Sequence, residues 1–220
     1  MNTMRNTMNI IKRKLSMNIF MRIIAVAASV LTMALAAVPS FAAGGEHVVV
    51  RGDTMWKIAV KYQVGVSELI AANPQIANPD LIYPGQSLNL PGKDPKVSQY
   101  EAEVVRLVNV ERAKYGLKPL TENWELSRVA RYKSQDMVDR GYFSHTSPTY
   151  GSPFDMMRAF GLSYRTAGEN IAYGQRTPQE VVTAWMNSQG HRANILNASF
   201  TQIGVGYVAS GNYWTQMFIG

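Results

Sequence analysis

This 220-residue chain has three histidines. There is no cysteine, which removes thiolate catalysis, disulfides and cysteine-ligated zinc. Ser188 and His191 stand three apart, a spacing at which a hydroxyl and an imidazole can pair as nucleophile and base, with Glu169 as the group that orients the imidazole. The same serine can instead end one helix or cap the next, a short one through His191 to Leu196. His145 sits between Ser144 and Thr146, where a loop hydrogen bond is its simplest use. Glu169 follows Ala167-Gly168, a turn that a carboxylate can hold through backbone amides.

These residues need a scaffold, and the stretch from about Val97 to Gly220 is long enough for a core of its own. Val104, Leu107, Val108 and Tyr115 share one face of a first helix that ends at Gly116. A second helix spans roughly 125–139 with Leu126, Val129, Ala130 and Met137 inward. The loop Phe143 to Pro148 and a short helix through Phe154, Met157 and Phe160 follow, and Pro178 opens another helix ending near Asn187. Gln202 to Val208 and Tyr213 to Ile219 are β-rich runs around Ser210-Gly211-Asn212, which reads as a hairpin. Helices first and an antiparallel pair last give an α+β or layered α/β/α domain.

The N-terminal end has a different character. Residues 1–42 carry Arg5, Lys12, Arg13, Lys14 and Arg22 with no acid, then an apolar run from Ile23 to Val38 and the small-x-small site Ser40-Phe41-Ala42. That order predicts a secretory signal peptide cleaved after Ala42. An uncleaved anchor is the rival, but a run of about sixteen residues falls just short of the roughly 18–20 that span a bilayer. Five of the 22 basic residues lie in this segment, leaving 17 against 15 acidic ones, close to +2. The basic stripe expected of a nucleic-acid binder is thereby lost. Contact with the membrane is expected only in transit.

Between these parts lies a compact unit, residues 47–91, with Gly44-Gly45 before it and Gly92-Lys93-Asp94-Pro95 after it as breakers. His47 to Val50 and Ser87 to Leu90 read as strands. Asp53 or Thr54 can cap a helix carrying Trp56, Ile58, Ala59 and Tyr62, and a second helix starts near Ser67 and stops at Asn73-Pro74. The order is β-α-α-β. The motifs Gly52-Asp53-Thr54, Asn73-Pro74 and Tyr83-Pro84-Gly85-Gln86 stand in the order of a LysM domain, which the whole unit resembles from end to end. The resemblance implies binding of N-acetylglucosamine polymers, peptidoglycan or a chitin-like glycan. Asp53, Thr54 and Met55 from one loop and Gln75, Ile76, Ala77 and Asn78 from the other would line the groove. Turn and cap duties are the plainer use of the same residues, and Gly52, Gly85 and Trp56 are assigned to structure.

The stretches NVERAKYGLKPL, YFSHTSP, AGENIAYG, AWMNSQGHRANIL, IGVGYV and YWTQMF together resemble the CAP superfamily of cysteine-rich secretory proteins, antigen 5 and pathogenesis-related protein 1. This implies a three-layered α-β-α sandwich over residues 98–220, after a linker at 92–97 reaching at most roughly 20 Å. It also implies a central cleft of two histidines and two acids. His145 matches the first histidine and Glu169 the first acid. Ser188 stands where the second acid is expected and Tyr213 where the second histidine is, so both are missing; His191 is inferred to enter the cleft instead. Two imidazoles and a carboxylate could hold a divalent cation such as zinc with an open position, or move protons, although no cofactor is required. Trp185, Trp214 and Tyr213 are assigned to core or cleft wall rather than to a sugar platform.

The expectation is a secreted, wall-associated binding or scaffold protein whose partners are glycan and wall or spore-coat proteins. The alternative is a wall-active hydrolase of peptide or glycan centred on His145, Glu169 and His191. A third reading, lipid binding, requires an apolar groove.

Overall fold

The computed structural model describes residues 43–220, so the signal-peptide assignment lies outside the described residues. These residues fall in one compact unit. The small N-terminal module runs β1 (Ala43–Val48), α1 (Met55–Tyr62), α2 (Val66–Ala71) and β2 (Ser87–Pro91), with β1 antiparallel to β2. Thr54 caps α1 by accepting from the Lys57 amide at 3.2 Å. Gly52 and Gly85 both hold φ of +92°, a backbone that favours glycine in the turns around β1. Val49, Met55, Ile58, Ala59, Leu69, Leu88 and Leu90 form the core.

Three expectations change here. The strand begins at Ala43 rather than His47, so Gly44-Gly45 belongs to the ladder and not to a linker. Trp56 is 64% exposed, because Met55, Ile58 and Ala59 supply the buried stripe and Trp56 falls on the opposite side of a short helix. Asp94-Pro95 does not break the chain. Asp94 accepts from the Lys96 amide and Pro95 opens the next helix, which shortens the connection to Gly92–Asp94.

The larger domain contains α3 (Pro95–Lys114), β3 (Thr121–Glu122), α4 (Trp124–Arg140), α5 (Pro153–Ala159), β4 (Ala167–Tyr173), α6 (Pro178–Asn187), α7 (Gln189–Ile195), β5 (Gln202–Val208) and β6 (Tyr213–Ile219). The sheet order is β3-β5-β6-β4, with β3 parallel and the other pairs antiparallel. Side-chain alternation divides the cores. Ile203, Val205, Trp214 and Phe218 face α3 and α6, whereas Met217 and Ile219 face α4 and α5. The architecture is α+β, with helices on both faces of one sheet.

Gly204 and Gly206 alternate with the apolar residues of β5 for a steric reason. A Cβ on Gly206 would lie 2.1 Å from the Arg131 amide nitrogen, and one on Gly204 2.3 Å from the Leu126 carbonyl carbon. Helix α4 therefore packs directly on the strand backbone. Strand β4, by contrast, is absent from the sequence expectation, which has a turn at Ala167-Gly168. Arg128 of α4 also reaches the small module, where it makes a bidentate pair with Glu68 at 2.5 and 2.8 Å and stacks over Tyr132 and Phe160. Burial pushes the Glu68 carboxyl up, but the Arg128 hydrogen bonds outweigh it and the net shift is downward.

Candidate functional site

Glu169 lies in the middle of β4 with its side chain 1% exposed, and His145 lies over it from the loop after α4. His145 Nδ1 donates to Glu169 Oε1 at 2.7 Å, while Oε2 is buried with no partner among the described residues. A carboxylate on Nδ1 selects the tautomer whose Nε2 is left to take or release a proton, and His145 itself is 53% exposed. The geometry is that of a base and its orienter.

Helix α4 positions the loop with buried polar groups. Lys133 is fully buried, and its Nζ donates to the Ser144 and His145 carbonyls at 2.7 and 2.8 Å and to Tyr142 Oη at 3.2 Å. Asp136 accepts from Tyr142 Oη at 2.5 Å, Ser147 Oγ at 2.7 Å and Thr149 Oγ1 at 2.6 Å. Burial pushes the Asp136 carboxyl up, but these hydrogen bonds outweigh it and hold it below its ordinary value. Burial likewise holds the Lys133 ammonium low against the pull of Glu169 and Asp136. Neither residue figures among the sequence candidates. The available signal was their placement, since Lys133, Ser134 and Asp136 continue the inward stripe of Val129, Ala130 and Met137 at helical spacing.

The free edge of β4 is covered from the other side. Trp185 Nε1 donates to the Ile171 carbonyl at 3.4 Å, and Asn194 Nδ2 to the Glu169 carbonyl at 3.2 Å. Asn170 donates to the His191 carbonyl at 3.1 Å and to Gln216 Oε1 at 3.0 Å. Buried Arg112 holds the end of α7 through the Ile195 and Asn197 carbonyls, at 2.8 and 2.9 Å. These contacts hold His191, half-buried on α7, against β4 beside Asn170, the neighbour of Glu169. Burial, then the charge of His145, lowers its pKa below the usual histidine value.

The structure thus pairs His145 with Glu169 and brings His191 within electrostatic range of His145. The three-donor metal set expected from the sequence is not assembled. Among the described residues no three His, Asp or Glu side chains stand close enough to hold a metal ion. The Ser188–His191–Glu169 arrangement is not formed among the described residues: Ser188 stands at the N-cap of α7, where its side chain makes no capping hydrogen bond, and Glu169 Oε1 is paired with His145. Trp185 and Trp214 are core residues, at 1% and 0% exposed.

In the small module, the Asp53 carboxylate accepts from the Val50 amide at 2.9 Å and lies 2.8 Å from His47 Nε2, while His47 Nδ1 meets Tyr62 Oη at 3.0 Å. Those contacts, the amide bond first, lower the Asp53 pKa. Met55 is 5% exposed, so its side chain serves the core and only its backbone is available to a ligand. Gln75 Nε2 donates to Asn73 Oδ1 at 2.9 Å, and buried Asn73 ties the loop to β2 through Asn89. Ile76 packs against the core, and Ala77 and Asn78 are exposed, with Asn78 Oδ1 accepting from the Asp80 amide at 3.1 Å.

An α-β-α domain with a buried carboxylate under a loop histidine, preceded by a β-α-α-β module, defines a two-part protein of LysM and CAP type. The cysteine-rich secretory protein (CAP) model matches residues 105–218, just over half of the chain, and the LysM model matches 47–91, so the chain belongs to the CAP family. The protein YkwD of Bacillus subtilis (strain 168) is 69% identical over 124 residues, 56% of this chain and 48% of that protein. The spore coat assembly protein ExsA of Bacillus cereus is 47% identical over 53 residues, 24% of this chain and 8% of that protein. A solved extracellular protein containing an SCP domain, from Bacillus anthracis str. Ames, shows 33% identity and a TM-score of 0.55, covering 61% of this chain and 46% of that one. The chain therefore spans at most about half the length of these relatives. Among the described residues no helix is long and apolar enough to cross a membrane.

Proposed function

We propose that this is an exported, wall-associated binding protein: the LysM module holds an amino-sugar polymer, and the CAP domain presents the His145–Glu169 cleft to a ligand or protein partner beside it. The observation that carries this is the cleft's composition. A base and its orienter are paired, and among the described residues no third His, Asp or Glu stands with them as a metal donor. The connection Gly92–Asp94 is three residues by its numbering, on the order of 10 Å when extended. The cleft therefore works close to whatever polymer the first module holds. Similarity to a spore coat assembly protein favours wall or coat proteins as partners.

The second reading is a hydrolase, favoured by one feature. A carboxylate with a buried, unpartnered oxygen behind an exposed imidazole suits proton transfer. Incubation with purified peptidoglycan separates the two. The binding reading expects sedimentation with the polymer that His145→Ala and Glu169→Gln leave unchanged, with no soluble product. Soluble fragments that vanish in Glu169→Gln would establish the hydrolase instead.

A further inference from the structure

Tyr213 does not share the burial of Trp185 and Trp214. It is half-exposed and belongs to an aromatic group with Phe143 and Tyr173, which are 44% and 57% exposed. The rings of Tyr173 and Tyr213 stack at 5.7 Å with 23° between planes, and Phe143 meets them edge-on at 4.7 and 6.4 Å. Exposed aromatic rings gathered on one another are uncommon on a soluble surface and mark a recognition site more often than a fold element.

The group's position gives it meaning. Glu169 and Tyr173 lie on the same side of β4, four residues and about 13 Å apart. The loop after α4 closes over both points, His145 onto Glu169 and Phe143, two residues earlier, onto Tyr173. Buried Ile171 lies between them on the same strand face. The aromatic group and the His145–Glu169 pair are thus two ends of one strip, fixed by one loop that Lys133 anchors from beneath.

We propose that Phe143, Tyr173 and Tyr213 form a platform for the pyranose rings of a neutral amino-sugar strand, extending the His145–Glu169 cleft. Tyrosines offer a flat apolar face and a hydroxyl together, which matches a sugar's apolar ring face and its hydroxyl rim. The three side chains carry no charge with which to select a peptide carboxylate or ammonium group. The strip also ends in an ionisable pair, which breaks the continuous apolar groove that an acyl chain requires. The proposal deepens the wall-binding reading and rests on its claim that the cleft takes a ligand. It makes the small module and the cleft two contacts for one kind of polymer, so that binding through both raises the effective concentration at each.

The test uses isotope-labelled chain from Ala43 onward and an N-acetylglucosamine hexamer as probe, followed by amide chemical shifts. The expected result is two sets of moving resonances, one at residues 75–78 and one at Phe143, Tyr173 and Tyr213. Tyr173→Ala should abolish the second set or weaken its affinity about tenfold, while leaving the first intact. Tyr173→Phe should retain it, and Phe143→Leu, at an exposed site that a leucine tolerates, should repeat the loss without a fall in melting temperature. Movement at residues 75–78 alone overturns this proposal and leaves the small module's reading standing. Movement at neither site overturns both. Movement of the aromatic set only with a peptidoglycan stem peptide, or only with phosphatidylglycerol vesicles, also overturns it.

Discussion

Replacing Lys133 by methionine keeps most of the buried stem and removes the ammonium that organises the cleft loop. In the native chain that ammonium donates to two carbonyls and a phenol. Hydrogen bonds from a charged donor contribute about 1.5–3 kcal/mol each. Two corrections reduce the sum. Ser144 and His145 are exposed, so water replaces part of what their carbonyls lose. The variant is also relieved of desolvating an ammonium, a cost expressed in the lowered Lys133 pKa. The net expectation is a loss of about 2–4 kcal/mol, on the order of 10 °C in Tm for a chain of this size. Hydrogen exchange of the amides from Phe143 to Ser147 should quicken by more than that of the β5–β6 ladder, because the damage is local. Urea and thermal melts read the first effect and exchange mass spectrometry the second. A stability change under about 0.5 kcal/mol with unaltered loop exchange would refute the reasoning.

Gly206→Ala should cost more than about 3 kcal/mol, since its Cβ meets backbone atoms of Ala130 and Arg131 that no rotamer can clear; a variant with native yield and Tm would contradict the close α4–β5 packing. Asp136 has a folded pKa below its unfolded value, so its stabilisation is present above the unfolded pKa and is lost as pH falls toward and through the folded one. Asp136→Asn should therefore be less stable at pH 7 by about 1–3 kcal/mol and lose less between roughly pH 5 and 2 than the native chain. Parallel urea midpoints across that range would rule this out. His191 also has a depressed folded pKa, so the folded state binds fewer protons and stability should rise with pH from the folded value up to about 6.5. His191→Gln should flatten that rise, and an unchanged slope would count against burial of the ring beside His145.

Much of the scaffold was legible from local pattern. Strands β5 and β6 were readable because two β-rich runs flank the turn at Ser210-Gly211-Asn212, and α6 because Pro178 fixes φ in its first turn. Strand β4 was not, since both its faces are covered and Ala167 to Tyr173 therefore lacks an alternating pattern. Its one charged residue, Glu169, read naturally as a turn residue. Trp56 was misplaced because helical spacing fits either side of an eight-residue helix, and only packing chooses between them. The cleft pair was legible through family motifs, whereas its supports Lys133 and Asp136 were hidden because buried charge is the reverse of the usual inward pattern. The direction of His191 and the gathering of Phe143 with Tyr173 depend on loop closure, which spacing along the chain does not encode.

The most direct examination of wall attachment is co-sedimentation of the chain from Ala43 with purified peptidoglycan, alongside a variant whose residues 75–78 are replaced by Gly-Ser-Gly-Ser. The native chain should pellet with the polymer, while the variant, folded by circular dichroism, should pellet far less. A native chain that stays soluble, or a loop variant that pellets equally well, would contradict the assignment of the small module as the glycan anchor.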